Sequence, residues 1–222
     1  MNKPSGFKFY YFKTLTSTND EAKRLAKKGL DKIVVIAGKQ TKGRGRFNRE
    51  WASGLGGLYM TIVLKEENLD KVRYLTLIAS LAVAKTIEKL TKLNALVKWP
   101  NDVLINNKKI CGILTETISD NKNYALVGIG LNINQKNFNR HISNKAVSLK
   151  IITTKNHNIK KISKIIIDNF NSLYTYYKNK NYKKIIGIWK NCSHTLGKRV
   201  KVKTLSEVFV GEAVDVDKNC NL

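Results

Sequence analysis

Residues 38–51 read GKQTKGRGRFNREW, with five cations (Lys39, Lys42, Arg44, Arg46, Arg49), one acid (Glu50), three glycines and no aliphatic side chain. Such a stretch has no face to bury as a helix or a strand. Three shorter polar interruptions of apolar runs join it as candidate chemistry: KWPND at 98–102, KKICG at 108–112 and GIGLNIN at 128–134. Pro100 biases Trp99 toward an extended backbone, so Asn101 and Asp102 fall at a strand start. Lys109 heads an otherwise buried run, which would hold its ammonium on a rigid element. Gly128 and Gly130 let another group approach the backbone closely. Each feature also has a plain structural reading: a solvated basic loop, turn residues, a hairpin lysine, tight sheet packing. Taken one at a time, the plain reading is the commoner.

Other chemistries lack their residues. The chain has no G-x-S-x-G, H-E-x-x-H or C-x-x-C, and His141, His157 and His194 do not have metal-ligand spacing. GRGRFN lacks the third glycine of a dinucleotide fingerprint, and LGKRV is no Walker loop. No metal site follows from spacing.

The elements that must position these groups can be read from periodicity. Strands are expected at 7–15, 32–40, 56–65, 95–99, 102–105, 109–118 and 124–133. NNKK at 106–109 is a hairpin turn signal. Helices are expected at 18–29, with Thr18 and Glu21 at capping-box spacing, and at 70–90, 159–177 and 182–190. Residues 134–158 read as loop. After Leu196 a short alternating pattern (VKV, VFVGEAVDV) suggests a small separate domain. Hairpins outnumber regular βαβ units, so the class is α+β, with a mixed or antiparallel central sheet and flanking helices.

Composition bounds the rest. The chain has 222 residues and a formal net charge of 41 − 16 = +25. That excess has two readings: a nucleic-acid partner, or lysine spread through a Lys-, Asn- and Ile-rich composition without clustering. The three cysteines (Cys111, Cys192, Cys220) form neither a disulfide framework nor a metal motif. With no 18-residue apolar run and no apolar leader at the start, the expectation is a cytoplasmic protein without a membrane segment.

Taken together, the polar stretches resemble the biotin–protein ligases. The carriers, in order, are STN at 17–19, GRGRFNREW at 43–51, KWPNDV at 98–103, KICGILTE at 109–116 and GIGLNIN. The resemblance implies a class II synthetase-like catalytic domain at 1–194 and a shortened SH3-like C-terminal β domain at 195–222. It implies activation of biotin by ATP and Mg2+ to biotinyl-5'-AMP. Transfer to a lysine of the biotin carrier protein domain of a carboxylase, such as acetyl-CoA carboxylase, would follow. It also implies site residues. Lys109, Arg44 and Asp102 are catalytic. Ser17, Thr18, Asn19, Gln40, Gly43, Arg44, Arg46, Lys109 and Gly112 hold biotin. Arg46, Arg49, Trp51, Asn101, Asp102, Gly128, Gly130 and Asn132 serve the nucleotide, and Asp102 is the candidate metal ligand. A homodimer is compatible with the family.

Physical chemistry agrees with that assignment. Joining a carboxylate to a polyphosphate brings two anions together, and unit charges about 4 Å apart repel by about 4 kcal/mol at an effective dielectric near 20. Fixed cations are required. The adenylate is a mixed anhydride that water destroys, so the basic glycine loop is expected to be a lid that closes on anionic ligand. The family's lid has a third glycine where this chain has Asn48, a residue that tolerates the left-handed conformation. About fifteen residues precede STN, too few for the helix-turn-helix of the family's regulators, so no specific DNA binding is expected. Lipoate ligases share the fold without this arginine–glycine lid, which favours biotin. The alternative from another class is a basic nucleic-acid-binding module.

Overall fold

The computed structural model describes residues 6–204 and 207–222. The first five residues of the expected catalytic domain, and Leu205 and Ser206 of the C-terminal segment, lie outside the described residues. The elements run β1 (Lys8–Leu15), α1 (Thr18–Lys27), β2 (Ile33–Gln40), β3 (Leu58–Lys65), α2 (Arg73–Thr91), β4 (Ala95–Lys98), β5 (Asp102–Ile105), β6 (Lys108–Ser119), β7 (Asn123–Leu131), α3 (Leu149–Thr153), α4 (Ile159–Lys178), α5 (Tyr182–Asn191), β8 (Arg199–Lys203) and β9 (Val208–Glu212). Seven strands form one mixed sheet, in the order β1-β2-β3-β7-β6-β5-β4, and only the β1–β2 pair is parallel.

Strand alternation divides the side chains between two layers. Val34, Ile36, Ile62, Leu64, Val127 and Ile129 face α2, α4 and α5, where the main core lies. Ile33, Val35, Val63 and Leu126 face α1 through Ala22, Leu25 and Ala26. The α2 helix is buried along most of its length, including Leu75, Ile78, Ala79, Ala82, Val83 and Ile87. Among the described residues no helix is long and apolar enough to cross a membrane.

Several boundaries differ from expectation, each for a local reason. The cap of α1 is Ser17, whose hydroxyl accepts from the Asn19 N–H at 3.3 Å; Thr18 instead turns toward Gln40. Residues 69–71 form a separate 3-10 turn, so α2 starts at Arg73 rather than at 70. The expected loop at 134–158 contains α3, capped by Ser148. The β5–β6 turn is as expected, with Asn106 and Asn107 both at positive φ (49° and 61°).

The C-terminal segment is a small β unit that leans on the main body. β8 and β9 form a two-stranded sheet with an exposed apolar edge at Val208, Phe209 and Val210. Residues 213–222 add no strand to it, and instead return to the main body. Val216 and Cys220 join the main core, the Trp99 indole N–H donates to the Cys220 carbonyl at 2.9 Å, and the Tyr74 hydroxyl donates to that of Lys218. The core therefore crosses the boundary drawn at 194/195.

Candidate active site

The cleft lies on the α1 side of the sheet, beyond the reach of α1. Its floor is a cross-strand row over four strands: Tyr59 on β3 faces Gly130 on β7, Gly130 faces Gly112 on β6, and Gly112 faces Asp102 on β5. The two central glycines leave a trough. The Trp51 indole fills it, so that a Cβ at Gly130 would lie 2.5 Å from Nε1 and one at Gly112 would lie 3.1 Å from Cζ3. The next row holds Thr61, Gly128 and Leu114. There the Asn19 Oδ1 occupies the space over Gly128, 2.5 Å from where a Cβ would be.

Lys109 reaches this floor because of a β-bulge. The β5–β6 register jumps from Val103↔Cys111 to Leu104↔Lys109, leaving Ile110 without a partner. By simple alternation Lys109 would share the core face of Cys111; the extra residue turns it to the face of Gly112. Its Nζ then stands 2.7 Å from Asp102 Oδ1 and 5.1 Å from the Trp51 ring centre. The contact with Oδ1 is an ion pair without hydrogen-bond geometry.

One wall is lined by Ser17, Thr18, Asn19 and Gln40, with the buried Ser53 and Thr61 hydroxyls behind them. Gln40 Oε1 accepts from the Thr18 N–H at 2.7 Å, and Gln40 Nε2 donates to Ser53 Oγ at 2.8 Å. Ser53 Oγ donates to the Trp51 carbonyl at 2.8 Å, and Thr61 Oγ1 donates to Asn19 Oδ1 at 2.6 Å. Asn19 Nδ2 donates to Glu116 Oε2 at 2.6 Å.

The basic loop is a small hairpin that leaves most of its side chains exposed. Arg44 and Glu50 bridge in antiparallel fashion, and the Trp51 N–H donates to the Gly43 carbonyl at 2.9 Å. A 3-10 turn at Arg46–Asn48 forms the tip, with Phe47 and Asn48 both left-handed (φ 56° and 55°). Asn48 suits that position. Phe47 does not, and holds strain on the order of 1–2 kcal/mol there. Arg44 Nη2 lies 2.7 Å from Asp20 and 3.3 Å from Glu116. The Asp20 hydrogen bond, helped by Glu116 against burial, raises its pKa. Arg46 reaches toward Asn101 Oδ1 at a weak 3.5 Å; burial lowers its pKa and Asp102 opposes the fall.

The expected residues Ser17, Thr18, Asn19, Gln40, Arg44, Arg46, Arg49, Trp51, Asn101, Asp102, Lys109, Gly112, Gly128, Gly130 and Asn132 line one cleft of about 1650 Å³. Gly43 is the exception. It is buried under the loop base, where a Cβ would lie 2.3 Å from Ser53 Oγ. Asn132 spends its amide on the Val147 carbonyl at 3.1 Å, tying β7 to the segment before α3. Trp51 packs on the floor of the cleft, and its buried Nε1–H has no partner among the described residues. Sequence reasoning missed Glu116, Thr61 and Ser53. The signal for Thr61 was a polar residue within an apolar strand, and for Glu116 its shared parity with Gly112 on β6.

Residues 9–134 match the model of the biotin/lipoate A/B protein ligase family. The "Bifunctional ligase/repressor BirA" of Bacillus subtilis is 34% identical over 214 residues, covering 93% of this chain; the chain spans only 66% of that relative's length. The "Biotin--[acetyl-CoA-carboxylase] ligase" of Mycobacterium tuberculosis is 29% identical over 210 residues, covering 90% of this chain and 77% of the relative. Among solved structures, the biotin protein ligase from Aquifex aeolicus in complex with biotin and ATP superposes with a TM-score of 0.84. It is 31% identical, with 95% of this chain and 88% of that one covered.

Proposed function

Because the chain belongs to the biotin/lipoate A/B protein ligase family, we propose that it joins biotin to ATP, giving biotinyl-5'-adenylate and pyrophosphate. The biotinyl group then passes to a lysine of a biotin carrier domain of a carboxylase. The observation that carries this reading is Lys109: a single ammonium turned by a bulge onto a glycine floor, beneath a loop bearing three arginines.

Each group has a physical task in that reaction. Lys109 sits where carboxylate and phosphate oxygens must meet, and its charge offsets their repulsion. Asp102 and the Trp51 face fix the ammonium, so little reorganisation is needed as charge develops. Arg46 brings a second cation from the loop. Magnesium is commonly held by one or two carboxylates together with substrate phosphates. Asp102 fits that donor set, and the ion would supply neutralisation of the polyphosphate charge.

The wall of Ser17, Thr18, Asn19 and Gln40 supports biotin over lipoate. A ureido ring offers N–H donors and a carbonyl acceptor, which hydroxyls and an amide can match from either side. A dithiolane ring offers neither. The test is substrate-dependent exchange of labelled pyrophosphate into ATP, run with biotin and with lipoate. Exchange is expected with biotin alone; equal exchange with lipoate would overturn the substrate assignment.

A further inference from the structure

We infer that Glu116 is a positioning residue that latches the glycine loop to the polar wall, and that Arg44 acts through this latch and not on the substrate. The inference rests on the ligation reading above.

Glu116 lies on β6 on the same face as Gly112. Its Oε2 accepts from Asn19 Nδ2 at 2.6 Å and lies 3.3 Å from Arg44 Nη2; its Oε1 accepts from Arg44 Nε at 3.4 Å. Among the described residues no other side chain hydrogen-bonds to the side chains of both Asn19 and Arg44. The Asn19 bond passes inward, because Asn19 Oδ1 accepts from Thr61 and presses on Gly128. The next residue back, Thr18, grips Gln40 through its N–H. One carboxylate thus joins the loop to the wall.

Charge assigns Arg44 to the latch. Its guanidinium faces two carboxylates, Asp20 at 2.7 Å and Glu116 at 3.3 Å. One cation against two anions leaves a local excess of negative charge, which repels a carboxylate or phosphate ligand. Among the described residues Arg46 makes no ion pair: it has the weak Asn101 contact, the Phe47 ring at 5.1 Å and the field of Asp102, and so keeps its charge for the cleft. The loop therefore separates its tasks: Arg44 holds it down, and Arg46 faces the ligand.

Two variants dissect the latch. Glu116→Gln keeps an acceptor for Asn19 and removes the charge facing Arg44. Glu116→Ala removes both. The readout is escaped adenylate, measured by mass spectrometry as bystander-lysine biotinylation relative to carrier labelling. Biotin KM and thermal unfolding are followed alongside. Glu116→Gln is expected to raise the ratio about tenfold, the loss of one charge-assisted bond, and Arg44→Ala, which also gives up the Asp20 bond, at least as much. Their double variant is expected to match Arg44→Ala, and Glu116→Ala to raise biotin KM as well. A wild-type ratio in Glu116→Gln, or a double variant showing the product of the single effects, would overturn the inference. Failure of the ligation reading shows elsewhere, as no biotin-dependent pyrophosphate exchange by the unaltered protein.

Discussion

The Trp51 indole rests on Gly130 so closely that a Cβ there would meet Nε1 at 2.5 Å and Cε2 at 2.6 Å. Trp51 ends the basic loop, and Gly130 is fixed in the middle of the sheet between Tyr59 and Gly112. The docked position of the loop is therefore set by a missing side chain on the floor. The backbone of a central strand cannot withdraw, so any added atom must displace the indole.

Gly130→Ala is accordingly expected to lift Trp51 from the trough and cost about 1–3 kcal/mol, the usual range for overpacking. Gly112→Ala should be milder, because its nearest Trp51 contact is 3.1 Å and the other neighbours are the flexible end of Lys109. Tryptophan emission reports the indole's environment, and pyrophosphate exchange reports the site. Unchanged emission and exchange in Gly130→Ala would show that the indole can leave the trough without consequence.

Lys109→Ala removes the ammonium from the glycine floor. Exchange is expected to fall about 10²–10³-fold, comparable to the loss of one preorganised electrostatic donor. The side chain is 35% exposed and caps no core element, so the fold should persist in circular dichroism. Near-normal exchange would remove Lys109 from the chemistry.

Much of the fold was legible because strand alternation and turn chemistry are local. The apolar runs of β2, β3 and β7 and the Asn106–Asn107 turn are examples. The candidate site was legible mainly as motifs, and their mutual geometry was not. Lys109 faces the floor only because Ile110 is bulged, a register fact that belongs to two strands at once. Thr61 looks like one polar residue in an apolar strand and Glu116 like one of a Thr-Glu-Thr run, and only the sheet places them beside Asn19. The tail was legible in part: alternation near 208–216 reads as strand, while the docking of Val216 and Cys220 is tertiary.

Glu66 provides a pH test away from the cleft. It is 8% exposed, its Oε2 accepts from the Tyr177 hydroxyl at 2.9 Å, and its Oε1 has no hydrogen-bond partner among the described residues. Burial raises its pKa above the ordinary carboxylate value; the Tyr177 and Tyr174 hydroxyls oppose the rise, while Asp31 and Glu67 add to it. A carboxyl with a raised folded pKa binds its proton more tightly when folded. Its favourable contribution is complete below the unfolded pKa and is lost as pH climbs through the folded one. Glu66→Gln is therefore expected to gain stability relative to the parent at pH 7–8 and to lose that gain near pH 4. Each kcal/mol should appear as about 2–4 °C in Tm for a chain of this size. A difference independent of pH would mean that Glu66 is not the titrating group.

The final expectation concerns residues 213–222. The β8–β9 hairpin is exposed at Phe209 (55%), so brief chymotrypsin treatment should cut there. Phe47, 59% exposed at the loop tip, is a second accessible site whose products differ in mass. A pair of strands alone is marginal in water, and after the cut nothing covalent holds the last residues. They should nevertheless stay bound. Val216 and Cys220 are buried in the main core, the Lys190 ammonium lies 2.6 Å from Asp215, and Arg73 Nη1 donates to Asn221 Oδ1 at 2.9 Å. The Trp99–Cys220 bond adds a consequence for the site, because Trp99 leads through Pro100 into Asn101 and Asp102. The tail thereby steadies the corner assigned to the nucleotide. Trp99→Phe, which removes the indole donor, should loosen the nicked peptide and raise KM for ATP about fivefold, the worth of one neutral hydrogen bond. Size-exclusion chromatography followed by mass spectrometry reads retention, and pyrophosphate exchange reads KM. If the peptide leaves the unsubstituted nicked protein while KM stays unchanged, the tail neither holds itself in place nor supports the site.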